Sequence, residues 1–434
     1  MVQFTRHATV ALPGAGSPTT RTPLIIVTCL FFMWGLLTSL NDVLIPHLKE
    51  VYDLSYVQAM LVQSCFFAAF LLVSLPAAAL IKRIGYRHGV VSGLAVAALG
   101  CALFYPAATL GYGIFLLALF TLASGITILQ VAANPYVTAL GDPRTAPRRL
   151  TLTQAFNSLG TTVAPAIGAM LILGAHVMDP VERAALSAAD LANYRAAQAA
   201  SVQTPYLGLA AVLLLMAVLF AYARLPDIRD AESGTPGAQP AESLLAHCHL
   251  VLGVIGIFLY VGAEVSIGSL LINFIAEPNV SDMTTAQAAY YVSYYWGGAM
   301  LGRFIGVLAM RRIAPGIALA FNGIGSIVLI LLAMFSSGGL AMWALIAVGL
   351  CNSVMFPVIF SMAVSNLGNL TGRGSGLLCM AIFGGAIVPL AQGLLADHIG
   401  VQLSFIVPAV CYMYVVYFGL KFSRLYPGTS QPAL

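Results

Sequence analysis

"LIIVTCLFFMWGLLTSLNDVLIP", residues 24–46, is largely apolar and carries no charge except Asp42. A bilayer core asks for roughly 20 apolar residues per helix, so the stretch reads as a membrane span. An ionised carboxylate inside one costs at least about 2.5 to 3.5 kcal/mol on insertion scales. The segment therefore fixes the fold class as membrane α-helical and raises a functional question about what Asp42 meets.

The rest of the chain agrees. It has 434 residues, 60% hydrophobic and 8% charged, with mean hydropathy +0.93. Soluble domains carry about 25% charged residues. The seven cysteines sit inside apolar runs with no CxxC pair and no His/Cys cluster at ligand spacing, so neither disulfides nor structural zinc are expected. No GxxxxGK[ST], HExxH or GxSxG occurs, which leaves no ATP cradle, zinc protease site or hydrolase nucleophile. The chain is not expected to be an enzyme, to hold a cofactor or metal, or to bind nucleic acid.

Twelve apolar runs are long enough to span: 24–46, 57–81, 88–107, 112–140, 150–174, 203–223, 247–277, 286–310, 315–335, 339–366, 372–396 and 401–422. An even number puts both chain ends on one side. Of the nineteen Lys and Arg, all but Lys49, Arg183 and Arg195 fall on the side of the ends, counting Arg303 toward that end of its span. The positive-inside rule makes that side cytoplasmic. Residues 1–23 read as a flexible cytoplasmic tail without the apolar core of a cleaved signal peptide, 225–246 as a Pro/Gly-rich cytoplasmic linker, and 425–434 as a second tail. The stretch 174–203 is Ala-rich and mildly acidic, suited to a short surface helix.

The linker separates two similar halves, 24–224 and 247–424. "QAMLVQSCFFAAFLLVSLPAAALIKRI" from Gln58 corresponds to "QAAYYVSYYWGGAMLGRFIGVLAMRRI" from Gln287. Such repeats build transporters whose substrate site lies between the halves near the midplane. Of fifteen Asp and Glu, thirteen fall in loops, tails or span ends; the exceptions are Asp42 and Glu264, in equivalent helices of the two halves. Facing one central cavity, they could carry or bind a cation; an intramembrane acid can also be a packing device paired with an amide or hydroxyl.

Amides are the next signal, because a sugar hydroxyl needs a partner that both donates and accepts. Gln130 and Asn134 are one turn apart in span 4, and Gln154 and Asn157 nearly so in span 5, so each pair shares a helix face. Asn41, Gln63, Asn273, Asn322, Asn352 and Gln392 are further candidates, each of which could equally be interhelical glue. Trp34 could stack on a sugar ring. "YYVSYYW" at Tyr290–Trp296 suits either an interfacial aromatic belt or a ligand wall.

"FFMWGLLTSLNDVLIPHL", "LQVAANPYVTALG", "LTQAFNSLG", "YVGAEVSIGS" and "GRFIG" resemble the fucose–proton symporter and glucose/galactose transporter branch of the major facilitator superfamily, from about residue 28 to 420. The resemblance implies a twelve-helix fold in two pseudo-symmetric halves, alternating access, and a monosaccharide carried with H⁺ or Na⁺ across the bacterial inner membrane by a monomer in lipid. In the fucose symporter the functional acids lie in spans 1 and 4. Asp42 matches the first, but Gln130, which cannot titrate, stands at the second. Glu264 in the C-terminal half supplies the second acid, as in glucose/galactose-type members. Phe356 replaces a tyrosine of the fucose symporter, and Lys82 stands where the superfamily expects Asp in the loop after span 2. The sequence leaves an uncoupled facilitator, or a non-transporting sugar sensor, as alternatives, and the hexose open.

Overall fold

The computed structural model describes residues 18–52, 56–171, 186–223, 244–281 and 283–425. Helices dominate them, and the order of helices gives twelve spans. Span 1 is Pro18–Tyr52. Tyr56–Leu110 runs on as one helical stretch, yet Gly85 inside it has φ 81° and ψ 164°. That left-handed backbone is open to glycine at no steric cost. It divides the stretch into span 2 (56–84) and span 3 (86–110). Span 4 is Tyr112–Ala139, span 5 Ala146–Leu171, span 6 Gln203–Tyr222, span 7 Cys248–Ile275, span 8 Thr285–Ala309 and span 9 Pro315–Phe335. Span 10 is broken into Gly338–Asn352 and Met355–Ala363, span 11 into Thr371–Met380 and Gly384–Ile399, and span 12 into Val401–Ser404 and Ile406–Lys421. The tails and the linker expected from the sequence fall largely outside the described residues.

By length and hydropathy alone, nine helical stretches among the described residues could cross a membrane. One of the nine contains spans 2 and 3. Spans 5 and 8 fall short on that measure because they carry Arg148, Arg149 and Arg303 among amides, hydroxyls and tyrosines. The chemistry that lowers their hydropathy is the chemistry of the site described below. Between spans 5 and 6 lies the expected surface helix, Ala188–Ser201, whose N-cap Ser187 accepts from Asp190 N at 3.2 Å.

Each half is held by helix crossings with little room for a side chain. A Cβ on Gly35 of span 1 would run into the Asn157 carbonyl of span 5, and one on Gly160 into the Phe32 carbonyl. The same device recurs in the other half, where a Cβ on Gly384 of span 11 would meet the Phe258 carbonyl of span 7. In lipid there is no hydrophobic drive between helices, so such close approach supplies the packing that holds them.

The end of span 4 is tied to the start of span 5 by one side chain. Arg149 donates to the carbonyls of Val137 at 3.3 Å, Thr138 at 2.9 Å and Asp142 at 2.7 Å, and to the Thr145 hydroxyl. Asp142 in turn accepts from Arg144 N at 2.9 Å, capping the turn between them. Carbonyls at a helix end have no intrahelical donor; here Arg149 provides it.

The two halves meet on the face where span 1 begins and span 12 ends, called here the terminal face. Near it, Ser375 of span 11 donates to the Val131 carbonyl of span 4 at 3.1 Å, and Gly376 lies against Ser74 and Ala78 of span 2. Phe156 of span 5 packs edge-on against Phe304 of span 8, centroids 6.1 Å apart. Toward the other face the halves diverge around a cavity.

Candidate functional site

The cavity has a volume of about 450 Å³ and is walled by spans 1, 4 and 5 of one half and spans 7, 8, 10 and 11 of the other. Its lining passes from buried Gln130 and Gln154 to exposed Thr162, Ala289 and Ser293, so it opens away from the terminal face. Each half lends one indole, Trp34 and Trp296.

The N-terminal half contributes amides. Asn157 uses its Nδ2 on the Phe31 carbonyl at 3.0 Å, and its side-chain oxygen makes no hydrogen bond among the described residues. Gln130 and Gln154 are nearly buried, at 6% and 5% exposure, and still line the cavity. Gln130 Oε1 is buried without a hydrogen-bond partner among the described residues. A buried acceptor left unpaired costs about 1–3 kcal/mol, so its position beside a cavity marks where a ligand hydroxyl would be welcome.

The C-terminal half contributes a carboxylate inside a closed network. Glu264 Oε1 accepts from Tyr260 Oη at 2.7 Å, one helical turn before it. Tyr295 donates to the Glu264 backbone carbonyl at 3.2 Å. Asn352, fully buried behind them, donates to Tyr295 Oη at 2.7 Å and accepts from Tyr412 at 2.6 Å. Span 10 breaks at Ser353–Val354 beside this network. Pro357, four residues past Ser353, has no N–H to give the Ser353 carbonyl. Arg303 Nε supplies it instead at 3.1 Å.

A family profile described as Major Facilitator Superfamily matches residues 25–383. The chain belongs to that superfamily. Among curated relatives it is similar to a glucose/galactose transporter of Brucella abortus, 54% identical and covering 92% of this chain and 94% of the relative. It is also similar to the L-fucose-proton symporter of Escherichia coli, 35% identical over 91% and 92% of the two chains. A crystal structure of a superfamily transporter, FucP, in the outward conformation superposes with TM-score 0.86 at 33% identity, covering 93% of this chain and 99% of that one. The relatives are transporters by name, not enzymes.

Within this superfamily fold the expected site residues sort into three groups. Trp34, Gln130, Gln154, Asn157, Glu264 and Phe356 come together around the cavity. Asn134 and Asn352 stay fully buried without lining it; both polar atoms of Asn134 are unpartnered among the described residues. Asn273 is exposed and lies elsewhere. It sits about two and a half turns past Glu264, which at 3.6 residues per turn is the opposite helix face. The side chains of Asn41, Asp42 and Gln63 lie outside the described residues. Two other amides are structural bonds: Gln392 joins Ser266 and Ser404, and Asn322 donates to the Ala318 carbonyl at 2.8 Å.

"YYVSYYW" divides between the two roles considered for it. Tyr290 and Tyr294 are exposed, whereas Trp296 lines the cavity. Arg303 is a correction of another kind. From the sequence it counts only toward the charge balance of the terminal side; in the structure it lines the cavity and donates to the Gln154 carbonyl at 3.2 Å and to the Ser158 hydroxyl of the opposite half. Its interior position in span 8 was the available signal, since a cation within a span needs a partner.

Proposed function

We propose that the chain is a secondary transporter that imports a monosaccharide of glucose/galactose or fucose type together with a cation, H⁺ ahead of Na⁺, by alternating access across a bacterial inner membrane. The observation that carries this reading is the asymmetry of the cavity. Amides and an indole from one half stand opposite a carboxylate, Glu264, from the other. Amides both donate and accept, as a sugar's hydroxyls require; the indoles offer flat apolar faces for its C–H surface; a carboxylate in a low-dielectric cavity can hold a proton or a metal cation. The names of the two relatives, one a glucose/galactose transporter and one a fucose-proton symporter, agree with that chemistry.

On this reading Gln130, Gln154, Asn157, Trp34, Trp296 and Phe356 touch the sugar, Asn134 and Asn352 support them, and Asn41 and Gln63 extend the set toward the cavity mouth. Asp42, eight residues after Trp34 on span 1, joins Glu264 in coupling. The terminal face is cytoplasmic by the positive-inside rule, with the division between halves at 225–246. The structure is then the outward-facing state of a monomer in lipid, and its closed terminal face is the inner gate.

Arg303 favours a second reading, because a guanidinium within electrostatic reach of Glu264 could neutralise it and leave an uncoupled facilitator. Labelled-sugar uptake into proteoliposomes decides between them. Symport gives accumulation above the external concentration only under an imposed proton or sodium gradient, whereas a facilitator equilibrates and stops. A protein that binds sugar but moves none overturns both.

A further inference from the structure

The Tyr260 hydroxyl stands within hydrogen-bond distance of two acceptors, Glu264 Oε1 at 2.7 Å and the Asn352 backbone carbonyl at 3.0 Å. A phenol has one proton. It can serve one of these acceptors fully at a time, and which one depends on Glu264. An ionised carboxylate only accepts, so it draws the phenol proton to itself; charge-assisted hydrogen bonds of this kind are roughly twice as strong as neutral ones. A protonated carboxyl can donate instead. Its O–H then points at Tyr260 Oη, and the phenol proton turns to Asn352.

The second acceptor is no ordinary carbonyl. Asn352 ends the first segment of span 10, and the second begins at Met355. At the break the Asn352 carbonyl accepts from Tyr260 and the Ser353 carbonyl from Arg303. Phe356, immediately past the break, lines the cavity.

We propose that Tyr260 is a positioning residue that reads the protonation state of Glu264 and passes it to the break in span 10. A proton arriving from the cavity converts the Glu264 carboxylate to a carboxyl, and the chain of donors becomes Glu264 to Tyr260 to the Asn352 carbonyl, which fastens the break. Loss of that proton returns the phenol to the carboxylate and takes the Tyr260 hydrogen bond away from the Asn352 carbonyl, so the break loses that tie and Phe356 is freer to move. The groups that face Glu264 are Tyr260 on its own helix, Arg303 and Tyr295 of span 8, and Tyr412 of span 12. The proposal deepens the proton-symport reading by saying how occupancy of the coupling site reaches the cavity wall.

Amide hydrogen exchange on the full chain in nanodiscs, without sugar, tests it. After correction for intrinsic rates, peptides covering Ser353–Phe356 in the parent should gain about fivefold protection on acidification, the ratio to which one hydrogen bond's net worth corresponds. Tyr260→Phe and Glu264→Gln should each abolish that pH dependence. Tyr414→Phe, which loses only a hydroxyl bonded to the Leu252 carbonyl, should retain it. The assignment is overturned if the parent shows no pH-dependent protection or if Tyr260→Phe keeps it; should that variant fail to fold, a pH dependence surviving in Glu264→Gln overturns it equally. Sugar uptake is measured separately, so a parent that switches at span 10 but accumulates no sugar refutes the symport reading and leaves this assignment standing.

Discussion

The two walls of the cavity are built on opposite principles. On the N-terminal side the amides keep bonding capacity in reserve: among the described residues Gln130 Oε1 has no partner and Asn157 bonds only through its Nδ2. On the C-terminal side Tyr260, Tyr295, Asn352 and Tyr412 bond one another and the Glu264 segment. A wall with unpaired acceptors is completed by a ligand, and a wall bonded within itself is already near its working shape. The comparison assigns sugar recognition mainly to the first and charge handling to the second, and each assignment can be broken separately.

The largest effect is expected at Glu264. Glu264→Gln should remove gradient-driven accumulation altogether in proteoliposomes, while exchange of labelled for unlabelled sugar continues; a variant that still concentrates sugar would transfer coupling to the other wall. Next come the amides. Gln130→Ala and Asn157→Ala should weaken sugar binding by about tenfold or more, since each lost partner leaves a ligand hydroxyl unpaired at roughly 1–3 kcal/mol. Isothermal titration reads this directly, and unchanged affinity in folded protein would reassign those amides to helix packing. A smaller change should follow at Ser293, on the exposed rim of the C-terminal wall: Ser293→Ala should alter affinity by under about threefold, because a solvated hydroxyl is replaced by water at little net cost. The least is expected at Asn273, which is exposed and off the cavity. Asn273→Ala should leave binding and uptake within error, and a tenfold loss there would mean that the cavity is not the site.

These contrasts were unequally visible beforehand. The spans were legible because twenty apolar residues in a row admit few readings, and the halves because a basic pair and a Gln-Ala start recur in register. Glu264 stood out as a charge with nowhere to be solvated. Its partners did not: Tyr295 lay within a stretch that suited either an aromatic belt or a ligand wall, and Tyr412 was not singled out, since a phenol buried in a network and one at a lipid interface have the same one-letter code. Tyr260 could have been found, because it lies one turn from Glu264 and residues at that spacing share a face. Arg303 was seen only as part of the charge balance, for charge-counting rules use position along the chain and are blind to which way a helix is turned. The same blindness placed Asn273 among the sugar ligands.

The single guanidinium that joins spans 4 and 5 has a consequence for selectivity. Arg149 fixes the end of one helix to the start of the next through Val137, Thr138, Asp142 and Thr145. Those are the helices that carry Gln130 on one side and Gln154 and Asn157 on the other. On the proposed sugar-binding role, their amides would behave like the jaws of a caliper locked at one setting, gauging the span between hydroxyls and not closing on whatever enters. A gauge of that kind distinguishes epimers by misfit, without a contact unique to either. Lysine could not hold the setting, because one rotating ammonium cannot reproduce the planar fork of donors that reaches several acceptors at once.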